Sequence, residues 1–320
     1  MDSPICAEVS VIIAAYNVET YIERAIRSAL EGQDTGIEII VVNDASTDTT
    51  RDVVSRISDP RVKLIDLPVN SGPGAARNAG IDAATAPWIA ILDSDDAFLP
   101  GRLVRCLTRA RAIEADIVVD NLNVYCEADQ STKPMFAPAR FSRITILDLA
   151  GFINGNRSFL GGGEALGYLK PLFKTEFLRR HELHYDQDLR IGEDYLLMCA
   201  ALASGARCAV VGTVGYLYTV RTESISHRLT IADMERIAAG DKKFLARYKL
   251  GPSATRAQRR REYAIKEALS YTKLVDAIKA RDLKAAGKAV TECPTAARYL
   301  WEPIWIRMRR LFKPKLKKQL

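Results

Sequence analysis

Residues 91–96, Ile91-Leu-Asp-Ser-Asp-Asp96, place three carboxylates, Asp93, Asp95 and Asp96, at the end of an apolar run. Acids there are costly unless something compensates them. Two carboxylates flanking one small residue suit a hard cation that takes oxygen ligands, keeps several waters and bridges to phosphate oxygens, as Mg²⁺ or Mn²⁺ does. A plainer role is open to the same residues, with Asp95 or Asp96 capping a helix over 102–114. A second acidic pair, Glu193-Asp194, precedes Leu196, Leu197 and Ala200, which continue a helical apolar face. Asp194 then falls in a first helical turn, where the helix dipole favours a carboxylate with or without chemistry. Gly72-Pro-Gly-Ala-Ala-Arg77-Asn78 adds glycines, backbone amides near a helix start and a guanidinium, parts from which phosphate or ribose contacts are built. It is no dinucleotide fingerprint, because the third glycine of G-x-G-x-x-G would fall at Arg77, and it lacks the Lys-Ser/Thr of a P-loop.

The elements that must position these groups follow from periodicity. Val9–Ala15, Ile37–Val42, Val62–Leu67 and Trp88–Leu92 read as short apolar strands, with another at Ile117–Asn121. Between them, Val18, Tyr21, Ile22, Ala25, Ile26, Ala29 and Leu30 keep a helical period that stops at Gly32, and further helices are predicted over 49–57 and 75–84. Strands alternating with helices predict an α/β fold whose mostly parallel sheet is covered on both faces. In such a sheet the ends of strands one, two and four converge on one crevice, gathering Tyr16-Asn17, Asn43-Asp44 and Asp93 to Asp96. Acids without a metal would repel a phosphate there. With a divalent ion they would hold a diphosphate, leaving Asp44 free to accept hydrogen bonds from a base or ribose.

Five motifs in order over roughly residues 9–230 carry a family likeness. They are Val9-Ser-Val-Ile-Ile-Ala-Ala-Tyr-Asn17, Asp44-Ala-Ser-Thr-Asp48, Gly74-Ala-Ala-Arg-Asn-Ala-Gly80, Leu92-Asp-Ser-Asp-Asp96 and Ile191-Gly-Glu-Asp-Tyr-Leu-Leu197. Together they resemble the inverting family 2 glycosyltransferases of the GT-A fold, a Rossmann-like nucleotide-binding sheet. The succession from Tyr168-Leu-Lys-Pro-Leu-Phe-Lys174 to the acidic pair is similar to bacterial exopolysaccharide members, including those of succinoglycan type. The resemblance implies a UDP-sugar donor, with glucose the favoured hexose, and Asp44 near the uracil. It implies Asp93 near the ribose or metal, Asp95 on the metal and Asp194 as the base, with Glu193 its first substitute. Relatives fold the stretch equivalent to 221–228 over the diphosphate, which implies a contact for Arg221 and a late metal-ligand role for His227. A solvated turn is the alternative for both. Ala15, Tyr16, Asn17, Asp44, Arg77, Asp93, Ser94 and Arg221 make up the candidate donor-binding set. Asn43 departs from the pattern, since relatives often carry a second aspartate, and so does Ala14-Ala15, where a proline is common.

The 320 residues are 48% hydrophobic and 27% charged, a globular profile with room for one large domain or two smaller ones. The expected division is a GT-A domain over 1–230, with a nucleotide-sugar half at 1–122 and an acceptor half at 123–230, then a helical extension over 231–320. Gly161-Gly-Gly163 offers either a hinge or a tight connection. Six scattered cysteines without a C-x-x-C pair read as reduced thiols, and no apolar run reaches membrane-spanning length. The net charge of +7 concentrates in the last twenty residues, where seven Lys/Arg face one Glu. The near-neutral body argues against a nucleic-acid partner. Residues 296–312 interleave aromatics with Arg at helical spacing, as an amphipathic helix on an anionic surface does. Docking of that helix on the domain is the alternative. The expectation is a protein peripheral to the cytoplasmic face of the inner membrane, acting on a glycan or lipid-linked oligosaccharide, with room for a homo-oligomer. Two rivals remain. A nucleotidyltransferase would want a glycine-rich basic loop after strand one, which Tyr16-Asn-Val-Glu-Thr-Tyr21 lacks, and a non-catalytic membrane adaptor would keep the fold without need of Asp194.

Overall fold

The computed structural model describes residues 7–160, 165–221 and 229–300. In chain order the first half runs β1 (Val9–Ala15), α1 (Ile22–Leu30), β2 (Ile37–Asn43), α2 (Thr50–Ser55), β3 (Val62–Asp66), α3 (Pro73–Ala83), β4 (Trp88–Ile91), β5 (Ala97–Phe98), α4 (Arg102–Ala112) and β6 (Ile117–Cys126). The second half runs β7 (Ser131–Pro134), α5 (Pro138–Phe141), α6 (Leu149–Asn154), β8 (Leu172–Lys174), α7 (Thr175–Arg180), α8 (Glu193–Ala203), β9 (Cys208–Val220), α9 (Ile231–Arg247), α10 (Pro252–Ala280) and α11 (Leu283–Glu292). The strands form one sheet in the order β3-β2-β1-β4-β8-β6-β9-β5, with β7 added to β6. This is an α/β fold of GT-A type with C-terminal helices.

β1 to β4 are parallel, as the strand–helix alternation predicts. Beyond β4 the sheet turns mixed: β8 is antiparallel to β4 and β6, and β9 is parallel to β6 but antiparallel to β5. β8 and β5 are three and two residues long, too short for any periodicity to announce them. β6 continues past Asn121 to Cys126, because polar residues such as Asn121 and Asn123 pair along β9. The first helix starts at Ile22 and not at Val18, whose carbonyl accepts from the N–H groups of Tyr21 and Ile22 in a turn. The cap expected from Asp95 or Asp96 is also replaced: α4 begins after Gly101, whose φ of 69° suits glycine, and no side chain caps it.

β1 and β2 are buried along their length, so the core lies where the parallel strands meet α1 and α3. A Cβ on Gly80 would stand 2.4 Å from Ile12 Cγ2. That glycine lets α3 lie close on β1 and sets Arg77, one turn earlier, over the strand ends. The helices from α9 onward are joined to this body. Thr230 caps α9 in a reciprocal capping box with Asp233, and of the four arginines at 256, 259, 260 and 261 on α10 only Arg261 is buried. Of the aromatic–basic stretch, Pro294–Leu300 is a 3₁₀ turn docked on α10, where Arg298 and the Tyr299 hydroxyl both donate to Glu267. The rest of that stretch, Gly161 to Gly163 and His227 lie outside the described residues. No helix among the described residues is long and apolar enough to cross a membrane.

One polar group inside the parallel sheet is held ionised by its neighbours. Glu38 on β2 is buried opposite Ser10 of β1, a position the apolar reading of that strand passed over. Its carboxylate accepts from Ser10 Oγ at 2.6 Å, Lys63 Nζ at 2.7 Å, and the Thr85 amide and hydroxyl at 2.7 and 2.8 Å. Burial alone would raise this carboxyl, but the donors outweigh it and hold it at about 2. The folded pKa is depressed, so the stabilisation is complete above the unfolded value near 4.5 and is lost as pH falls towards 2. From the size of that shift, roughly 3 kcal/mol is at stake. Urea unfolding of the wild type and Glu38→Gln should show a stability gap that narrows as pH drops from about 6 to about 3. A gap independent of pH would assign the acid response elsewhere.

Candidate active site

At the crevice beyond the parallel strands, two backbone turns are fixed before any charge enters. The Asp44 N–H donates to the Ala15 carbonyl, tying the ends of β1 and β2. Asn17, at φ 51°, accepts from the Thr47 N–H at 2.8 Å while its own N–H donates to Ser46 Oγ. Asn43 donates to Asp66 at 2.8 Å, and Asp66 also holds Arg51. An aspartate at 43 would face that carboxylate with another, so the departure to asparagine suits its neighbour. Asp44 differs from expectation. It is 2% exposed, and its two oxygens accept from the N–H groups of Ser71 and Gly72 at 2.7 and 2.8 Å. The carboxylate therefore already pins the loop that leads into α3. Tyr16 stands exposed at the rim, and Ala15 and Ser94 are buried behind it.

The charged centre is assembled by two cations. Arg77 of α3 donates through Nη2 to Asp93 Oδ1 and through Nη1 to Glu193 Oε1, both at 2.8 Å, with Asp194 Oδ1 3.7 Å away. Lys170, just before β8, places Nζ 2.7 Å from Asp93 Oδ2 and 3.0 Å from Asp194 Oδ2. Both cations are nearly inaccessible. Burial should drive them towards neutrality, yet the surrounding carboxylates hold both well above their ordinary values. Burial would likewise raise Asp93, and the same two cations keep it below the usual carboxylate range. Glu193 is raised by burial and by Asp194 against the pull of Arg77. Thus the end of β4 and the first turn of α8, a hundred residues apart in sequence, are clamped face to face.

Asp95 and Asp96 are used differently. Asp95 pairs with Arg221 at 2.6 Å, and Arg221 in turn lies over the Tyr21 ring. Burial and the nearby Asp93 raise its carboxyl in spite of Arg221. Asp96 is fully buried, accepting from the Tyr216 hydroxyl and the Thr219 N–H, each at 2.7 Å. Burial, Asp93 and Asp95 push it well above the ordinary range, so it anchors the turn to β9. Among the ion-paired groups, Asp93, Glu193, Asp194 and Asp95 face Arg77, Lys170 and Arg221, four acids to three bases. That surplus, on hard oxygen donors, fits a divalent cation at Asp95. Asp93 has both oxygens engaged by Arg77 and Lys170. No cluster of three or more His, Cys, Asp or Glu with metal-holding geometry occurs among the described residues, so any ion here draws on water or substrate oxygens as well.

Lys170 was missing from the sequence-derived set, although the stretch containing it was singled out. A lone lysine before a three-residue strand has no periodicity or spacing to mark it. Tyr216 and the pair Arg102–Asp120 were missed for the same reason. Arg102 is fully buried, bonds Asp120 at 2.9 and 3.0 Å, and donates to the Lys170 carbonyl, fixing the backbone that presents the ammonium.

Comparison with known proteins bears on this geometry. The family model described as Glycosyl transferase family 2 matches residues 10–172. Succinoglycan biosynthesis protein ExoO of Rhizobium meliloti (strain 1021) is 45% identical, over 95% of this chain and 87% of its own. Succinoglycan biosynthesis protein ExoU of the same organism is 36% identical, over 84% and 78%. Among solved structures, S. aureus TarS 1-349 in complex with UDP-GlcNAc superposes with a TM-score of 0.60 at 19% identity, covering 88% of this chain and 90% of that one. The mannosyltransferase PcManGT from Pyrobaculum calidifontis, in complex with GDP-Man and Mn2+, gives 0.61 at 21% identity, covering 95% and 84%.

Because Lys170 bridges two acids, Lys170→Met should leave Asp93 and Asp194 sharing a single guanidinium. Breaking a buried pair from one side costs about 3–5 kcal/mol. Chemical unfolding at neutral pH should show a loss of that order. A loss below about 1 kcal/mol would mean that water or a rearranged Arg77 replaces the ammonium.

Proposed function

Because the chain belongs to glycosyl transferase family 2, we propose that it is a metal-dependent, inverting enzyme that moves a hexose from a UDP-sugar to a growing exopolysaccharide. Glucose is the favoured sugar, and a lipid-linked glycan of succinoglycan type is the favoured acceptor, reached from the cytoplasmic face of the inner membrane. The observation that carries the reading is the clamp of Asp93 and Asp194 by Arg77 and Lys170, which holds an acid from the β4 end against one from α8. A likeness over most of the chain to two proteins named for succinoglycan biosynthesis supports the acceptor class. The structural neighbours hold UDP-GlcNAc in one case and GDP-Man in the other. The preference for UDP therefore rests on the motifs. The membrane assignment rests on the basic, aromatic composition of residues 296–312.

In this reading Asp194 takes the proton of the acceptor hydroxyl as that oxygen attacks the anomeric carbon, a contribution of typically ~10²–10⁴-fold. Attack opposite the leaving diphosphate inverts the centre, so no carboxylate nucleophile is required. Lys170 and Arg77 orient Asp194 and keep Asp93 ionised beside the donor. Ala15, Tyr16, Asn17 and Ser94 line the nucleoside side, where Asp44 shapes the 71–72 loop and offers its remaining lone pairs to the base. Asp95 is the residue that would hold Mg²⁺ or Mn²⁺, with Asp93 adjacent and His227 in the segment beyond Arg221. When bound, that ion supplies Lewis-acid neutralisation of the charge on the diphosphate. Arg221, freed from Asp95, is placed to meet the same phosphates.

A panel of UDP-sugars tested for slow, Mn²⁺-dependent hydrolysis checks the donor without knowledge of the acceptor. Asp95→Ala should abolish the metal-dependent part of UDP affinity measured by calorimetry; undiminished metal dependence would move the ion elsewhere. For the base, Asp194→Asn keeps shape and loses the ability to take a proton. Transfer should fall at least ~10²-fold with donor binding nearly unchanged. Transfer at the wild-type rate would shift the role to Glu193.

A further inference from the structure

Arg261 of α10 lies deep under the candidate base, although it comes from the helices that follow the catalytic sheet. Its Nε donates to Asp241 Oδ2 of α9 at 2.9 Å, and Nη1 donates to the Asn156 carbonyl at 2.5 Å. Its guanidinium carbon stands 3.6 Å from the centre of the Tyr195 ring, which also stacks on Phe152 of α6. Tyr195 is the residue after Asp194. Asn156 in turn accepts from the Gly167 N–H at 2.6 Å, three residues before Lys170. Gln258 also donates to Asp241, so the partner of Arg261 is itself held.

One guanidinium thus reaches, directly at Tyr195 and by way of Asn156, the two segments that carry the groups meeting at Asp194. Through the Tyr195 ring it bears on the first turn of α8. Through Asn156 it bears on the turn leading to Lys170. A desolvated cation over an aromatic face is a strong contact, and Arg261 is 3% exposed. Arginine is suited to the place because its planar fork bonds in two directions while its face stacks, which a lysine ammonium does not do.

We propose that Arg261 is a positioning residue for the transfer reaction, acting through Tyr195 and Asn156 on the geometry of Asp194 and Lys170. The C-terminal helices are then part of the catalytic scaffold as well as a carrier for the tail. The inference rests on Asp194 being the base. Removing Arg261 should lower kcat with donor KM little changed, because the partners it has among the described residues, Asp241, Asn156, Phe159 and Tyr195, lie outside β1, β2 and β4. Small displacements of reacting groups carry large rate effects, up to ~10²-fold for about 1 Å.

The experiment separates positioning from plain stability. Arg261→Met leaves Asp241 buried and unpaired, so the single variant should be both less stable and slower. In Arg261→Met/Asp241→Asn both charges go and the Gln258 bond stays, so unfolding resistance should recover. If the proposal holds, kcat of the double variant stays at least ~10-fold low with donor KM within about twofold of wild type. Recovery of kcat together with stability overturns it. Should neither protein fold, Tyr195→Leu keeps Arg261 and its ion pair but removes the ring. A wild-type kcat there also overturns the proposal. Asp194→Asn is assayed alongside: if it transfers at full rate, the base assignment fails independently of any result at Arg261.

Discussion

Two buried cations hold three carboxylates that would otherwise force the crevice apart. Asp93 arrives at the end of β4, and Glu193 and Asp194 in the first turn of α8, all with little access to water. Unpaired, each would protonate or draw solvent into the core. Arg77 and Lys170 resolve this from opposite sides, one carried by a helix laid on β1 and the other by the chain running into β8. Among the described residues neither cation pairs with another acid, and the one further contact of Arg77, the Tyr185 ring, carries no charge to replace them. The arrangement is therefore mutual: the acids keep the cations charged, and the cations keep Asp93 ionised.

The fold reads as a means of delivering those five side chains. Parallel strands β1, β2 and β4 place their polar ends on one edge, and Gly80 lets α3 approach closely enough for Arg77 to reach over it. The antiparallel insertion of β8 between β4 and β6 brings Lys170 to the same edge. Beneath it, Arg102 and Asp120 form a second buried pair whose spare donor reaches the Lys170 carbonyl. The second pair fixes the backbone that presents the ammonium, and the acids above pair its charge, so a lysine can sit almost without water in a site that must also admit substrate.

The parallel half was legible because its signals are local. A buried strand shows as an apolar run and a helix as a 3.6-residue period, so β1 to β4 fall close to where periodicity puts them. Asp93, Asp95, Asp194 and Arg77 were legible through motifs. What escaped was set by tertiary contact. Lys170 is a single basic residue before a short strand, Arg261 is one of four clustered arginines with nothing local to mark it as the buried one, and Glu38 is an acid inside an otherwise apolar strand. Their partners come from tens to a hundred residues away. Asp44 is legible as a motif residue, but its hold on the loop is not, because a motif names a residue without showing that two loop amides donate to its oxygens. Asp96 looked like a helix cap for the same reason, since nothing local reveals Tyr216 and Thr219 converging on it.

The clamp is not uniform, and the difference bears on how a substrate-assisted cation would enter. Arg77 and Lys170 are 8% and 6% exposed in their side chains, whereas Arg221, the partner of Asp95, is 28% exposed and leaves β9 at the edge of the sheet. Exchanging a cation at Asp93 would mean breaking two deeply buried contacts at several kcal/mol. Exchanging one at Asp95 disturbs a better-hydrated pair. Of the two, Asp95 is also the one raised by burial and by Asp93 despite Arg221, whereas Asp93 is held low by its cations. In the proposed mechanism the two acids of the Asp-x-Asp sequence thus divide the work. Asp93 is a fixed member of the scaffold, paired on both oxygens, and Asp95 is the residue that would hold a divalent ion, which would there supply the positive charge that Arg221 supplies now.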